Sequence, residues 1–262
     1  MKNILQKFYW WGTILFCILS LSYDVHAQSG LAPVLVASSK ELLTVSVNGS
    51  YFTRTISGID NSSKGLHLEA LYGLVKNIDV WASVGLVDLT LNHVDSTNLT
   101  LRNNANLSYG AGLNVKFVTI KRTGLWFVAG ASYTRFVATA KKQNSLFVGN
   151  SEVKQAFELR YDWQIFNANF GMLKQFTFMN FYAGLNFWQI NRPETKRTRL
   201  TFGSESVPSS VETGEYKSGI IVSPAFGVDF NFESRIKLSL GLTVNSRSDY
   251  MFSLGISQAG KP

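Results

Sequence analysis

Alternation of apolar and polar residues with a period of two recurs along this chain after residue 40 and constrains its fold more than any other feature. The stretch "NANLSYGAGLNVKF", residues 104–117, is the clearest case. Every odd position from Ala105 to Phe117 is apolar, and every even position is polar or glycine. Because successive side chains of a strand point to opposite faces, the pattern predicts a β-strand. Helical periodicity is scarce in the same region, so the chain is predicted to be all-β.

Ten segments share this alternation, and we expect the apolar stripe of each to lie on one face of a sheet. The stripes are Leu43, Val45, Val47 and Tyr51; Leu66, Leu68, Tyr72 and Leu74; Trp81, Val87, Leu89 and Leu91; Leu107, Tyr109, Leu113, Val115 and Phe117; Leu125, Phe127, Ala129, Ala131 and Tyr133; Val153, Phe157, Leu159, Tyr161, Trp163 and Ile165; Met179, Phe181, Ala183, Leu185 and Phe187; Ile220, Val222, Phe226, Val228 and Phe230; Ile236, Leu238, Leu240, Leu242 and Val244; Tyr250, Phe252, Leu254 and Ile256. A turn at Asn77-Ile78 supports the third stripe, and the sixth changes phase at Phe166, which predicts a β-bulge.

The connections between these segments alternate in length. Five of them, 58–64, 93–103, 141–152, 192–214 and 245–249, average about 12 residues, whereas the connections between them average about 5. One end of the predicted sheet therefore carries long polar loops, and the other end carries tight turns.

Three features indicate that the apolar face meets lipid. The segments mostly run 9–16 residues, whereas soluble strands average about 5 or 6 residues and a tilted strand crosses a bilayer in about 9–11. Aromatic residues gather beside the predicted short turns, as expected of a belt at the headgroup level. The polar face is rich in glycine, which suits a crowded interior better than an open surface. These glycines are Gly73, Gly110, Gly112, Gly130, Gly184, Gly219, Gly227, Gly241 and Gly255.

The first 27 residues have the pattern of a secretory signal peptide. Lys2 and Lys7 precede an apolar run of about 14 residues, Phe8 to Leu21, which is shorter than a spanning helix. Val25-His26-Ala27 approximates a cleavage site. We predict cleavage between Ala27 and Gln28; a signal anchor is the alternative. The single cysteine of the chain lies in this run, so no disulfide or cysteine metal site is predicted for the remainder.

The charge of the chain points away from nucleic acid. The formal net charge is +8, and only 16% of residues are charged. No dense block of Lys and Arg interleaved with aromatic residues occurs, so we expect no nucleic-acid partner. The run "RPETKRTR", residues 192–199, is predicted to be a solvated loop, with contact to anionic lipid headgroups as the alternative.

Two stretches, "LYGLVKNIDVWASVGL" (residues 71–86) and "FYAGLNF" (residues 181–187), together with the features above, resemble bacterial outer-membrane β-barrel proteins. The resemblance implies a transmembrane up-and-down antiparallel β-barrel of about ten strands, with eight or twelve as alternatives. The barrel is predicted over residues 42–257, after a periplasmic segment 28–41 and before a tail 258–262. It implies a monomer in the cell outer membrane, exported through a Sec-type signal. Its expected partners are membrane lipids and, during biogenesis, periplasmic chaperones and the barrel-assembly machinery.

If the polar face is the lumen, it carries nearly balanced charges. We expect them to be paired, because unpaired buried charges are costly, and to fill a narrow interior like a plug. The predicted lumen cations are Arg54, Lys116, Lys154, Arg160, Lys217 and Lys237, and the predicted lumen anions are Glu69, Asp88, Glu158, Asp162 and Asp229.

The sequence predicts no catalytic, cofactor-binding or metal-binding residue. A hydrolase site at the barrel rim would have to use His93 and Asp95, with His67 and Glu69 at the start of the second segment, and no matching carboxylate pair accompanies them. We therefore predict a non-enzymatic structural or interaction role, with the loop 192–214 as the contact surface. The alternatives are a narrow passive channel, an exported soluble lipocalin-like protein and the rim hydrolase.

Overall fold

The computed structural model describes residues 43–56, 59–94, 99–120, 123–148, 151–202, 205–207, 210–232, 236–244 and 250–259. Its strands are β1 (Leu43–Ile56), β2 (Ile59–Val75), β3 (Ile78–Val94), β4 (Leu99–Ile120), β5 (Leu125–Val148), β6 (Ser151–Gln175), β7 (Met179–Phe202), β8 (Glu205–Ser206), β9 (Ser210–Lys217), β10 (Ile221–Asn231), β11 (Ile236–Val244) and β12 (Tyr250–Ala259). Within these ranges no helix is long and apolar enough to cross a membrane.

The strands close into an antiparallel barrel. Each strand from β1 to β7 pairs with the next, and β12 pairs back with β1. Strands β9 and β10 follow one another along β7, pairing with residues 191–198 and 179–188, so together they fill one position of the barrel. The two-residue β8 only folds back on the end of β7. The described strands therefore occupy ten barrel positions in up-and-down order, which confirms the predicted fold class.

Eight of the ten predicted stripes face outward. Leu66, Leu107 and Phe226 leave 60%, 62% and 46% of their surface exposed, while polar residues between the apolar positions are buried inside. Contiguous apolar surface on this scale is not a feature of water-soluble monomers. The outward face therefore fits a bilayer, and the lipocalin-like alternative does not account for it.

The third stripe faces the lumen, contrary to the prediction. Val75 pairs with Ile78, so the turn is Lys76-Asn77 and not Asn77-Ile78. A register shift between Gly73 and Val75 moves one residue out of step, as a bulge does. The side chains of this stripe consequently point into the barrel, where Val87, Leu89 and Leu91 are buried and Trp81 is half-buried; Val80, Ala82, Val84 and Leu86 face outward instead.

The sixth stripe also faces the lumen, contrary to the prediction, and the predicted bulge at Phe166 is absent. Pairing between β5 and β6 runs without a shift from Leu125 opposite Lys174 to Val148 opposite Ser151. Trp163 is completely buried inside the barrel, whereas Phe166 is 48% exposed outside. The strand therefore keeps its phase, and the polarity of its two faces reverses along its length.

This reversal marks the edge of what we call the lipid-facing band. The outward apolar stripe covers nine residues in each of β2 (66–74), β5 (125–133) and β7 (179–187), which matches the length of a tilted strand crossing a bilayer. Strands β5, β6 and β7 contain 24, 25 and 24 residues, so they continue well beyond the band. They do so at the end opposite the short turns, which we call the external end because barrels of this type carry their long connections there.

The long loops predicted at the external end are largely strand. Residues 59–64 belong to β2, the predicted loop 141–152 is mostly β5 and β6, and the predicted loop 192–214 contains the end of β7 and the start of β9. Hydrogen-bonded pairing between neighbouring long strands satisfies the backbone outside the membrane, where polar composition alone looked like loop.

Aromatic side chains bracket the lipid-facing band. At the short-turn end, the ring of Phe117 lies 6.3 Å from that of Phe127. At the external end, the rings of Tyr133 and Phe166 are 4.9 Å apart. Two girdles of this kind are expected at the two headgroup levels of a membrane barrel.

Lumenal glycines make room for large interior side chains, as the sequence predicted. A Cβ on Gly112 would lie 2.6 Å from Cε2 of Trp81, and a Cβ on Gly85 would overlap the imidazole of His67. Of the predicted set, Gly110, Gly112, Gly130, Gly184 and Gly255 are crowded in this way, whereas Gly219 is exposed between β9 and β10 with no atom within 4 Å of an added Cβ.

Candidate functional site

The lumen has two halves of different chemistry. Within the lipid-facing band the inward side chains are mostly Ser, Asn and other polar residues, as expected when the outward side meets lipid. Asn48 donates a hydrogen bond of 3.1 Å to Ser46 Oγ, and Asn186 donates one of 3.3 Å to Thr243 Oγ1. The side chains of Ser50 and Asn167 are buried here and have an oxygen without a protein partner, which fits a hydrated interior.

A charge network crosses the lumen at the short-turn end. Asp79, just after the turn between β2 and β3, interacts electrostatically with Lys116 of β4 and Lys237 of β11. Lys237 also interacts with Asp229 of β10, which hydrogen-bonds Ser239 and Asn180. Since β3 and β4 lie across the barrel from β10 and β11, these charges face one another across the lumen and form one charged layer of the interior.

Above the band, the lumen is filled by apolar and aromatic side chains, which we call the aromatic plug. The ring of Trp163 stacks on that of Phe136 with centroids 5.7 Å apart and planes 7° from parallel. The plug consists of Phe52, Val87, Leu89, Leu91, Phe136, Ala138, Leu159, Tyr161, Trp163, Ile165, Trp188, Ile190 and Met251. These residues come from β1, β3, β5, β6, β7 and β12, so the plug reaches across the barrel and is not confined to one wall.

Arg192 lies against this plug and is only 3% exposed. Its guanidinium carbon lies 4.8 Å from the ring centroid of Tyr161, 5.5 Å from that of Trp163 and 5.4 Å from that of Tyr216, which are cation–π distances. A single long hydrogen bond of 3.4 Å joins Nη2 to Glu194. The sequence predicts a solvated loop over residues 192–199; this prediction is wrong for Arg192, which lies in β7 with its side chain buried.

The outward face of the same region is polar and charged. Arg135 donates two hydrogen bonds to the Asp162 carboxylate, of 2.8 Å from Nε and 2.6 Å from Nη2, and a third of 3.3 Å to the hydroxyl of Tyr109. The hydrogen bonds to Asp162 raise the pKa of Arg135, so this residue stays a cation. The pair lies just outside the lipid-facing band, where a fixed charge meets headgroups rather than hydrocarbon.

The predicted lumen charges fall into two groups, those within the lipid-facing band and those beyond it, where the polarity of the strand faces is reversed. Lys116, Lys237, Glu69 and Asp229 face the lumen as predicted. The prediction is wrong for residues beyond the lipid-facing band, because there the outward face is the polar one. These outward residues are Lys154, Arg160, Lys217, Asp88, Glu158 and Asp162; the side chain of Arg54 lies outside the described residues. Asp79 and Arg192 are lumenal charges that the alternation did not identify.

The residues of the hypothetical rim hydrolase do not form a described site. His67 and Glu69 lie in the middle of β2 and are buried in the lumen, 1% and 7% exposed, so they are not at the rim. Asp95 and the side chain of His93 lie outside the described residues. Among the described residues no group of three or more His, Cys, Asp or Glu side chains is arranged to hold a metal ion.

No protein-family model matches this chain, and no curated protein matches it. Solved structures similar to it include the translocator domain of the autotransporter NalP from Neisseria meningitidis (9% identity, TM-score 0.43, covering 87% of this chain and 91% of that one). The outer membrane protease OmpT from Escherichia coli is also similar (9%, 0.41, 87% and 97%), as is the transport unit of the autotransporter AIDA-I from Escherichia coli (8%, 0.42, 87% and 92%). These neighbours are bacterial outer-membrane β-barrels. The values are too low to bear on activity, and the barrel assignment rests on the strand pairing.

Proposed function

We propose that this protein is an outer-membrane barrel with a closed lumen, which acts through the strands it raises outside the membrane. The observation that carries this proposal is the aromatic plug. Phe52 of β1 and Met251 of β12 belong to the same packed cluster as Trp163 of β6 and Phe136 of β5. In a ten-position barrel, β1 and β6 stand opposite one another, and so do β12 and β5, so side chains from facing walls meet in the middle.

A plug of this composition opposes the passage of water and polar solutes. Trp163, Phe136, Leu89 and Ile190 are each 2% exposed or less. Interiors of this kind pack at the density of organic crystals and leave few voids larger than a water molecule. Ten strands also leave little more space than the interior side chains need. The charge network at the short-turn end adds a second layer below the plug.

With the lumen closed, the strand segments outside the membrane are the part of the protein available to bind a partner. Above the level where Ser108 of β4 pairs with Phe136 of β5, the described pairing joins β5 only to β6. Residues 137–148 of β5, 151–161 of β6, 193–202 of β7 and 210–217 of β9 then form a four-stranded antiparallel sheet, which we call the external sheet. An interaction role therefore falls on this sheet rather than on a flexible loop 192–214.

Conductance across a planar lipid bilayer tests the closed lumen. We expect no unitary current steps from the purified wild-type protein, and we expect steps from Trp163→Ala, because that change removes the more deeply buried of the two tryptophans of the plug. Trp126→Ala is the matched control, since Trp126 packs against a separate small cluster of Val128, Leu173, Tyr182 and Ala225 on one wall near the short turns. Steady conductance of the wild-type protein would overturn the proposal and favour the narrow channel.

The proposal also covers location and chemistry. Export to the outer membrane as a monomer, after cleavage between Ala27 and Gln28, is checked by fractionation and by N-terminal sequencing of the mature protein. We propose no catalytic step. If purified protein hydrolyses a peptide or ester substrate and His93→Ala or Asp95→Ala abolishes that activity, the rim-hydrolase alternative replaces this part of the proposal.

A further inference from the structure

The outward face of the external sheet contains a groove of about 610 Å³ that neither the lumen nor the lipid-facing band explains. Six of the residues that line it carry the argument, and we call the site the basic groove: Lys141, Gln143, Ala156, Glu158, Arg197 and Arg199. They belong to β5, β6 and β7, at positions that share the outward face of those strands.

The strand register explains why a groove forms here. Lys141, Glu158 and Arg197 stand side by side in one row across the three strands, and Gln143, Ala156 and Arg199 form the next row. Every member of these rows has a long side chain except Ala156. The methyl group of Ala156 therefore forms a low floor among taller neighbours, which gives the groove its depth.

The charge of the groove selects an anion. Three cationic side chains line it against the single carboxylate of Glu158, whose Oε1 lies 3.4 Å from Lys141 Nζ. Arg197 and Arg199 project from alternate positions of one strand, so their guanidinium groups lie on the same face. Paired arginines present planar forks of donors that match phosphate oxygens, and a phosphate group carries about −1.5 to −2 charges at neutral pH.

The height of the groove above the membrane indicates which membrane component can supply the anion. Lys141 lies eight residues beyond Tyr133, the last outward residue of the band in β5. At about 3.3 Å per residue and a strand tilt of about 40°, Lys141 lies about 20 Å above Tyr133, and so about 15 Å above the hydrocarbon edge, because the nine-residue band places Tyr133 about 5 Å inside that edge. The headgroup layer of ordinary lipids extends only about 5–7 Å beyond that edge. Phospholipid phosphates therefore lie too low, whereas the saccharides of a glycolipid beside the barrel wall reach this height.

We propose that the basic groove binds a phosphorylated saccharide that projects from a glycolipid of the outer leaflet. Arg197 and Arg199 hold the phosphate, and the floor at Ala156 accepts a sugar ring against its methyl group. The groove opens sideways from the barrel, so its ligand comes from the surrounding membrane and not from the lumen. This proposal takes from the proposed function only that the sheet stands outside the membrane.

Calorimetric titration of the full-length protein in detergent tests this site. The probe is the phosphorylated core oligosaccharide released from lipopolysaccharide by mild acid, and the same oligosaccharide after enzymatic dephosphorylation is the matched ligand control. We expect saturable binding of the first and at least tenfold weaker binding of the second. Equal binding of the two would overturn the assignment of phosphate, and binding of inorganic phosphate with the same affinity would overturn the assignment of a saccharide.

Variants separate the groove from general surface charge. We expect the double variant R197Q/R199Q to weaken binding at least tenfold, and Ala156→Leu to weaken it comparably with no change of charge, because the added atoms fill the floor. Lys64→Gln removes an outward cation from β2 on another part of the barrel wall and should leave binding unchanged. Unaltered binding by Ala156→Leu, or an equal loss in Lys64→Gln, would refute the site. Heat-dependent gel mobility verifies that each variant is folded, and bilayer conductance remains a separate readout of the proposed function.

Discussion

Moving one charge along one face of β5 measures where the membrane ends. Ala131 and Val137 both point outward, six residues apart, and Ala129 marks the centre of the nine-residue band in this strand. With a rise of about 2.5 Å per residue along the membrane normal, Ala131 lies about 5 Å from the bilayer centre and Val137 about 20 Å from it. The hydrocarbon half-thickness is about 15 Å, so only Ala131 faces lipid tails.

Replacing each residue with arginine should therefore give very different losses. We expect Ala131→Arg to lower the free energy of unfolding by about 2–3 kcal/mol, because a cation near the midplane of a barrel wall costs about that much. We expect Val137→Arg to lower it by less than about 1 kcal/mol, because cost falls towards zero near the interface and Asp162 is its neighbour across the strands.

The measurement is reversible urea unfolding of the protein in lipid vesicles, followed by tryptophan fluorescence. The wild type and the two variants must show the same dependence of unfolding free energy on urea concentration for their stabilities to be compared. Equal losses for the two variants, or a larger loss for Val137→Arg, would show that β5 remains in hydrocarbon beyond Tyr133. The reversal of polarity would then need an explanation other than the edge of the bilayer.

Three further outcomes are expected in the same unfolding assay. Trp163→Ala should lower stability by about 3–5 kcal/mol because it empties a packed interior position; a loss below about 1 kcal/mol would place this ring outside the plug. Gly85→Ala should lose about 1–3 kcal/mol because its Cβ overlaps His67, while Gly219→Ala, with open space around it, should stay within about 0.5 kcal/mol; similar losses for the two would refute the crowding argument. Asp162→Asn should lower stability in low salt and lower it by less in 1 M NaCl, since this partly exposed pair is screened; a loss that does not change with salt would contradict a mainly ionic contribution.

Much of the fold was readable because each strand records its surroundings locally. Where one face of a strand meets lipid and the other meets a polar lumen, apolar side chains must recur at every second residue, and eight of the ten stripes follow this rule. The glycine argument succeeded for the same reason, since Gly112 faces the Trp81 ring at close range. The charges that fall within the band, such as Lys116 and Asp229, were also assigned to the lumen correctly.

The candidate sites were harder to predict from the sequence, because they lie where the strands leave the lipid-facing band and their surroundings change. Beyond the band, water replaces lipid outside the barrel and packed side chains replace polar groups inside it. The apolar residues of an alternating strand therefore point inward there, whereas within the band they point outward. Trp163 and Phe166 show this most directly: both are aromatic and three residues apart, yet one is buried in the lumen and the other faces the membrane. The change of the hydrophobic pattern at Phe166 is therefore real, but it marks the edge of the lipid-facing band and not a β-bulge.

The sequence by itself determined that this chain forms long antiparallel strands with two chemically different faces. A period of two specifies such faces, because successive side chains of a strand point to opposite sides. It could not specify which face is wet at a given height, since alternation is symmetrical with respect to inside and outside. Only the closed register of the barrel decides that. It brings Phe52 of β1 together with Trp163 of β6, and it sets Ala156 between Gln143 and Arg199, so the plug and the basic groove exist only once distant strands are paired.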